Sequence, residues 1–210
     1  MNIYNYNAYL FDMDGVLADT NPIHKIAFKQ FLATKNFDCT DTFFEQYISG
    51  SNNPEVVQKV LGSAATPEII NLWASQKEAL FRTLYLPYMQ PMLGAIALLQ
   101  KLKGLNKKLA LCTSAPVENL NFMLDGLSIR QYFNITLCEK DVTKHKPNPD
   151  VYLKALDLLN ETPTNALVFE DSFRGATAGI NAGCNVIIIN NKALQSEIYL
   201  ANCENFISLL

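Results

Sequence analysis

The chain has 210 residues, enough for one sizeable domain or for a domain with a smaller insert, and 49% of them are hydrophobic, as a proper core requires. A net charge of −3 gives no electrostatic footprint for nucleic acid. No apolar run reaches the length of a membrane span, and the N-terminus lacks a basic region followed by a long apolar stretch, so a cytoplasmic protein without a membrane partner is expected. The five cysteines, Cys39, Cys112, Cys138, Cys184 and Cys203, are odd in number and widely spaced, and read as reduced thiols rather than a disulfide or zinc framework.

The first element is the short apolar run Ala8-Tyr9-Leu10-Phe11, which ends in Asp12, Met13, Asp14 and Gly15. Residues 8–12 read as a buried strand with two carboxylates at its mouth. The texture then changes. Helical spacing covers residues 22–35, 42–48, 54–61 and 67–86, with a polar break over residues 49–54 and no strand pattern. From residue 108 the chain alternates. Strands are predicted at 108–112, 134–137, 166–169 and 185–189, and helices at 116–125, 149–159 and 173–182. The tail from residue 190 is read as a short helix and a last edge element. Near-continuous apolar strands between helices indicate a parallel sheet covered on both faces. The expected architecture is α/β: a doubly wound, Rossmann-like core over residues 1–17 and 91–210, with a small helical cap inserted at 18–90.

Ligands of such a fold sit beyond the C-terminal ends of the strands. The first strand brings Asp12 and Asp14 there. The second brings Thr113, Ser114 and Ala115 at a helix start, where backbone amides and the helix dipole suit an anion. After the third comes HKPNPD with Lys146, and the fourth ends in Glu170 and Asp171. Four carboxylates in one crevice repel, and one ammonium cannot balance them. A hard divalent cation with oxygen ligands can. Mg²⁺ binds typically through one or two carboxylates plus a substrate phosphate, so the set points to phosphoryl transfer on a small phosphate ester.

The order DxDGV, then TS, then K-P, then ED resembles the haloacid dehalogenase-like superfamily. DMDGVLADT followed at once by a helical insert is similar to its β-phosphoglucomutase-like branch, and the match spans essentially the whole chain. The resemblance implies that Asp12 is the nucleophile that forms an aspartyl-phosphate, and that Asp14 is the general acid and base. It implies that Mg²⁺ is held by Asp12, the Asp14 backbone carbonyl and Asp171, with Glu170 in direct or outer contact. Ser114 and the Ala115 amide would bind the transferring phosphoryl group, and Lys146 would neutralise charge on it and on the nucleophile. His24, on the first cap helix, either lines the site entrance or is a helix histidine with no role. Phe43, Phe44, Trp73, Phe81, Tyr85 and Tyr88 read as packing residues of the cap or hinge, and a monomer or weak dimer is expected.

The cap loop departs from the mutase pattern. β-Phosphoglucomutases carry a lysine before the loop glycine and an arginine shortly after it, to hold a distal phosphate. Aligned on Gly50, this chain has Ser49 before it and Ser51, Asn52 and Asn53 after it. Such a loop offers hydrogen bonds to a substrate but no charge. Lys59 and Lys77 are the other cap cations that could reach a distal phosphate. The reading is therefore a phosphatase, with a phosphomutase as the alternative and a non-catalytic phospho-ligand sensor as a third possibility.

Overall fold

The computed structural model describes residues 2–194, 196 and 198–210. Along the chain the elements are β1 (Ala8–Phe11), α1 (Asn21–Thr34), α2 (Asp41–Phe43), α3 (Asn53–Leu61), α4 (Pro67–Tyr85), α5 (Ala95–Gly104), β2 (Lys108–Cys112), α6 (Val117–Gly126), β3 (Ile135–Leu137), α7 (Asp150–Leu159), β4 (Ala166–Glu170), α8 (Phe173–Asn181), β5 (Asn185–Ile189) and β6 (Ala201–Cys203). They fall into two compact units, Met1–Asp19 with Met89–Leu210, and Thr20–Tyr88. Among the described residues no helix is long and apolar enough to cross a membrane.

In the first unit the six strands form one sheet in the order β3-β2-β1-β4-β5-β6. Every pairing is parallel. The chain runs outward from β1 through β2 to β3, then returns to lay β4 on the other side of β1. Strand order reverses between β1 and β4, and this switch point is where a doubly wound sheet opens its crevice. Successive side chains of a strand face opposite sides. Ala8 and Leu10 join Ala110, Val168, Val186 and Ile188 in a cluster with Tyr152, Ala155 and Leu156 of α7 and Ala176 and Ala178 of α8. On the opposite face Phe11 stacks on Phe169 with ring centroids 4.7 Å apart, and Phe206 packs edge-on against Phe169.

Two expectations need adjustment here. Helix α5 lies outside the predicted elements; Ala95, Leu98, Leu99 and Leu102 recur in it at helical spacing and are buried. The helix expected in the tail is a three-residue 3-10 turn, Ile207–Leu209, and the edge element is β6.

The second unit is helical. Asn52 accepts a hydrogen bond from the Glu55 amide while Glu55 reaches back to the Asn52 amide, a capping box that starts α3. The helix expected over residues 42–48 is one α-turn, α2, followed by a π-type turn Phe44–Ile48. The Ser49 N–H donates to the Phe44 carbonyl at 2.9 Å, closing the wider turn with both Phe44 and Ile48 buried. Phe28, Phe31, Leu32, Phe44 and Val56 form the core, with Phe43 and Trp73 packed against it. Phe81 and Tyr85 stack with centroids 5.5 Å apart, whereas Tyr88 is exposed and does not share the packing expected of it.

Inside this unit lies a buried ion pair. Lys77 Nζ donates to Glu78 Oε1 at 2.7 Å, and Asn53 Nδ2 donates to the same oxygen at 2.8 Å. His24 Nδ1 lies 3.0 Å from Lys77 Nζ; the ammonium has only donors, so this ring nitrogen accepts. Burial by itself would raise the Glu78 carboxyl, but the charge and hydrogen bond of Lys77, with the hydrogen bond of Asn53, override it and hold it at about 2. A folded value below the unfolded one contributes stability above the unfolded pKa, and that stability is lost as pH falls through the folded pKa. The drop from 4.5 to about 2 corresponds to roughly 3 kcal/mol, at about 1.4 kcal/mol per pH unit. Glu78→Gln is therefore expected to be less stable than the unmodified protein at pH 7, with the gap closing between pH 5 and pH 2. Chemical denaturation across that range checks this, and a gap that stays constant with pH would contradict it.

Candidate active site

The site is built where β1 and β4 run side by side. Asp12 follows β1, and its N–H donates to the Phe169 carbonyl of β4 at 3.0 Å, so the sheet ladder itself fixes the backbone of this carboxylate. Glu170 is the last residue of β4, with Asp171 next to it. Gly15, at φ +72°, takes a left-handed conformation that turns the chain immediately past the two aspartates.

Lys146 enters from the loop after β3, and all three of its N–H bonds are placed. They go to Asp12 Oδ1 at 2.7 Å, Glu170 Oε1 at 2.6 Å and the Cys112 carbonyl at 2.9 Å. The Lys146 backbone is held separately, its carbonyl accepting from Arg174 Nε at 3.1 Å and Nη2 at 3.0 Å. Glu170 is equally committed. Oε1 accepts from Lys146 and from Tyr152 Oη, the latter at 2.5 Å. Oε2 accepts from the Asp171 N–H and from Ser172 Oγ, each at 3.2 Å. A Cβ on Gly175 would overlap this carboxyl group, so the first turn of α8 needs glycine there. Ser172 also caps α8 by accepting from the Gly175 N–H at 3.0 Å.

The electrostatics follow from burial. Desolvation pushes the Asp12 carboxyl well above the usual carboxylate range; Lys146 pulls it down, and Glu170, Asp171 and Asp14 push it up again. Burial would lower the Lys146 ammonium, but the charges and hydrogen bonds of Asp12 and Glu170 raise it, so it is a fixed cation. Burial, then the charges of Glu170 and Asp12, raise the Tyr152 hydroxyl, which therefore acts as a donor. The crevice is short of positive charge.

This donor set fits a hard cation. Ligand oxygens of Asp12, Glu170 and Asp171 lie within 4.8 Å of one another, and no nitrogen or sulfur ligand accompanies them in this group. Glu170 already accepts four hydrogen bonds, which makes Asp12 and Asp171 the better-placed direct ligands.

The remaining predicted residues are placed as follows. Asp14 is half-buried and pairs by backbone with Ala18 in an isolated parallel bridge. Ser114 is exposed beyond β2, ahead of α6. The Ala115 N–H donates to Thr113 Oγ1 at 3.0 Å, a local turn bond made by the amide assigned to phosphate. His24, Gly50, Ser51 and Asn53 belong to the helical unit. His24 stacks on Phe81 with centroids 3.7 Å apart. Ser51 Oγ donates to the Tyr47 carbonyl at 3.1 Å, and Asn53 serves Glu78. Gly50 has φ +74° with open space around it.

Three residues at the site were not singled out from the sequence: Tyr152, Arg174 and Gly175. A phenol among the buried apolar positions of α7 was the readable signal, because a buried hydroxyl needs a partner.

Known proteins share the sequence pattern and the fold. A phosphorylated carbohydrates phosphatase of Thermotoga maritima is 28% identical over 176 residues, covering 84% of this chain and 81% of its own. The crystal structure of a HAD hydrolase, family IA, variant 3, from Entamoeba histolytica superposes with a TM-score of 0.89 at 25% identity, covering 97% of this chain and 95% of that one. A putative β-phosphoglucomutase from Thermotoga maritima has a TM-score of 0.72 at 25% identity, with 93% of each chain covered. The family model for haloacid dehalogenase-like hydrolases matches residues 9–189, which takes in β2 to β5, all of β1 but Ala8, and all the site residues named above. The chain belongs to the haloacid dehalogenase-like hydrolase family.

Proposed function

We propose that the chain is a Mg²⁺-dependent phosphatase of a small phosphorylated metabolite, of the sugar-phosphate kind, acting through an aspartyl-phosphate on Asp12. The observation that carries this reading is a buried carboxylate, Asp12, held at the switch point by a saturated ammonium with Asp171 beside it. The relative named as a phosphorylated carbohydrates phosphatase supports the substrate class.

In this reading Asp12 attacks phosphorus, forming a carboxylate O–P bond as the ester P–O bond breaks. Asp14 gives its proton to the departing alkoxide. The same carboxylate then takes a proton from water, which attacks phosphorus, breaks the Asp12 O–P bond and releases inorganic phosphate. Lys146 keeps Asp12 oriented and offsets negative charge at the reacting centre throughout. Ser114 would bind phosphoryl oxygens. Mg²⁺ bound by Asp12, Asp171 and the Asp14 carbonyl would supply charge neutralisation and in-line orientation of the phosphoryl group.

A phosphomutase would use the same groups but must also grip a second, distal phosphate. Two features of the helical unit argue against that. The loop over residues 49–53 carries no cation, and its Asn52 and Asn53 side chains are spent on the α3 cap and on Glu78. Lys77 is neutralised by Glu78, and Lys59 Nζ sits 5.1 Å from the Tyr47 ring centroid.

Three outcomes are expected. Asp12→Asn should stay folded, because Lys146 retains Glu170 as counter-ion, and should lose phosphate release by at least about 10⁴-fold; near-normal release would contradict the covalent route. Asp171→Ala should raise the Mg²⁺ concentration for half-maximal activity roughly tenfold or more. Glu170→Ala should instead act mainly on stability, at about 3 kcal/mol or more, because it leaves the buried Lys146 with Asp12 as its one counter-ion and takes the acceptor from Tyr152, Ser172 and the Asp171 amide. Mg²⁺ titration and thermal melting of both variants check this ranking, and the reverse order would exchange the two roles. Finally, β-glucose 1-phosphate given with a trace of the 1,6-bisphosphate should yield free phosphate. Glucose 6-phosphate forming faster than phosphate would establish the mutase reading instead.

A further inference from the structure

We infer that Tyr152 is a positioning residue of this site: its hydroxyl locks Glu170 in the orientation that presents the Lys146 ammonium to Asp12. The inference rests on the phosphatase reading for its kinetic consequence but not for its geometry.

Tyr152 is fully buried on α7, among Ala155, Leu156 and Leu137, where a phenylalanine would satisfy packing equally well. What the hydroxyl adds is one hydrogen bond, to Glu170 Oε1 at 2.5 Å. A buried phenol without a partner is unfavourable, so the presence of this hydroxyl is accounted for by that contact alone. The acceptor oxygen is the same one that receives Lys146 Nζ at 2.6 Å. Two short donors converging on Oε1 fix its distance and direction, whereas the 3.2 Å contacts of the Asp171 N–H and Ser172 Oγ hold only the other oxygen, so without the phenol Oε1 would be set by Lys146 alone. The ring adds a second restraint, with Lys146 Nζ 4.9 Å from its centroid. Ammonium, phenol and carboxylate thus form a closed triangle. From it the ammonium reaches Asp12 and the Cys112 carbonyl, and the second carboxylate oxygen reaches the Asp171 N–H and Ser172. Because Arg174 holds the Lys146 backbone independently, removing the phenol hydroxyl loosens the Glu170 acceptor of the ammonium without freeing the loop.

The test is Tyr152→Phe, which keeps the ring and its packing. The control is Tyr9→Phe, which deletes an equally buried hydroxyl that donates to the Ile3 carbonyl at 2.7 Å, away from the site. Tyr152→Phe should lower kcat about tenfold with KM within about twofold, and Tyr9→Phe should leave both unchanged. In a Glu170→Gln background the tenfold effect should shrink to less than about threefold, since the partner is altered. A second readout needs no turnover: solvent exchange of the Lys146 ammonium protons, followed by nitrogen-edited NMR, should quicken in Tyr152→Phe and not in Tyr9→Phe. In the unmodified protein the Tyr152 hydroxyl proton should be protected from exchange and close to that ammonium. Unchanged kcat together with unchanged ammonium exchange would overturn the inference, as would full additivity with Glu170→Gln. An unprotected Tyr152 hydroxyl would overturn it even if Tyr152→Phe failed to fold. If the unmodified protein hydrolyses no phosphate ester, the phosphatase reading fails while the two NMR measurements still decide the role of Tyr152.

Discussion

The Lys146 ammonium, buried against Asp12, Glu170 and the Cys112 carbonyl, is the interaction on which the site depends. Moving a charge of this kind out of water is costly, and the attraction repays it only when geometry is good and every donor and acceptor is used. Both conditions hold here. All three N–H bonds are placed, and Glu170 takes four hydrogen bonds from Lys146, Tyr152, Ser172 and the Asp171 amide. Much of the surrounding sequence is explained by this requirement. Gly175 leaves room for the carboxyl group, Ser172 both caps α8 and donates to Glu170, and Arg174 grips the Lys146 carbonyl. The segment from Glu170 to Gly175 therefore acts as one device for holding a lysine that lies far away in sequence.

The same requirement explains why the site is unbalanced. One ammonium serves two buried carboxylates, with Asp171 and Asp14 near enough to raise Asp12 further. A protein that merely needed a stable core would have no use for this excess of negative charge. The oxygen-only donor set suits a hard ion, and this supports the proposed Mg²⁺. The topology provides the place: Asp12 and Glu170 meet at the ends of β1 and β4, where the strand order reverses, with Glu170 fully buried and Asp12 nearly so.

The helical unit solves a comparable problem with the opposite result. Its Lys77 is also buried, but Glu78 adjoins it in sequence, and Asn53 and His24 complete the network. Here one cation meets one anion, and the charge is settled within the unit. The contrast bears on function. A unit whose buried cation is neutralised and whose loop side chains hold helices together is poorly equipped to bind a second phosphate. A substrate with a single phosphate makes no such demand.

The class of the fold and the set of residues that meet at the site were legible from the chain's local patterns. Apolar strands alternating with helices can bury both faces of a sheet in few ways, and strand ends converge by topology, so Asp12, Lys146, Glu170 and Asp171 were legible as one group before any distance was known. These are local patterns joined by a general rule. What the tertiary structure alone decided was how the members of that group divide the work. Whether Glu170 faces a metal or a lysine depends on atoms from α7 and α8 that no spacing reveals. By spacing Tyr152 is one more buried position of α7, and Gly175 one more small residue in a helix of small residues. Asn53 sat in a loop where a substrate contact was as plausible as an internal one, until Glu78, twenty-five residues on, was seen to occupy it. Sequence periodicity records which face of an element is buried; it does not record which polar atom meets which across the core. That pairing is set by packing between elements distant in the chain, and here it distinguishes groups open to a ligand from groups that hold them in place.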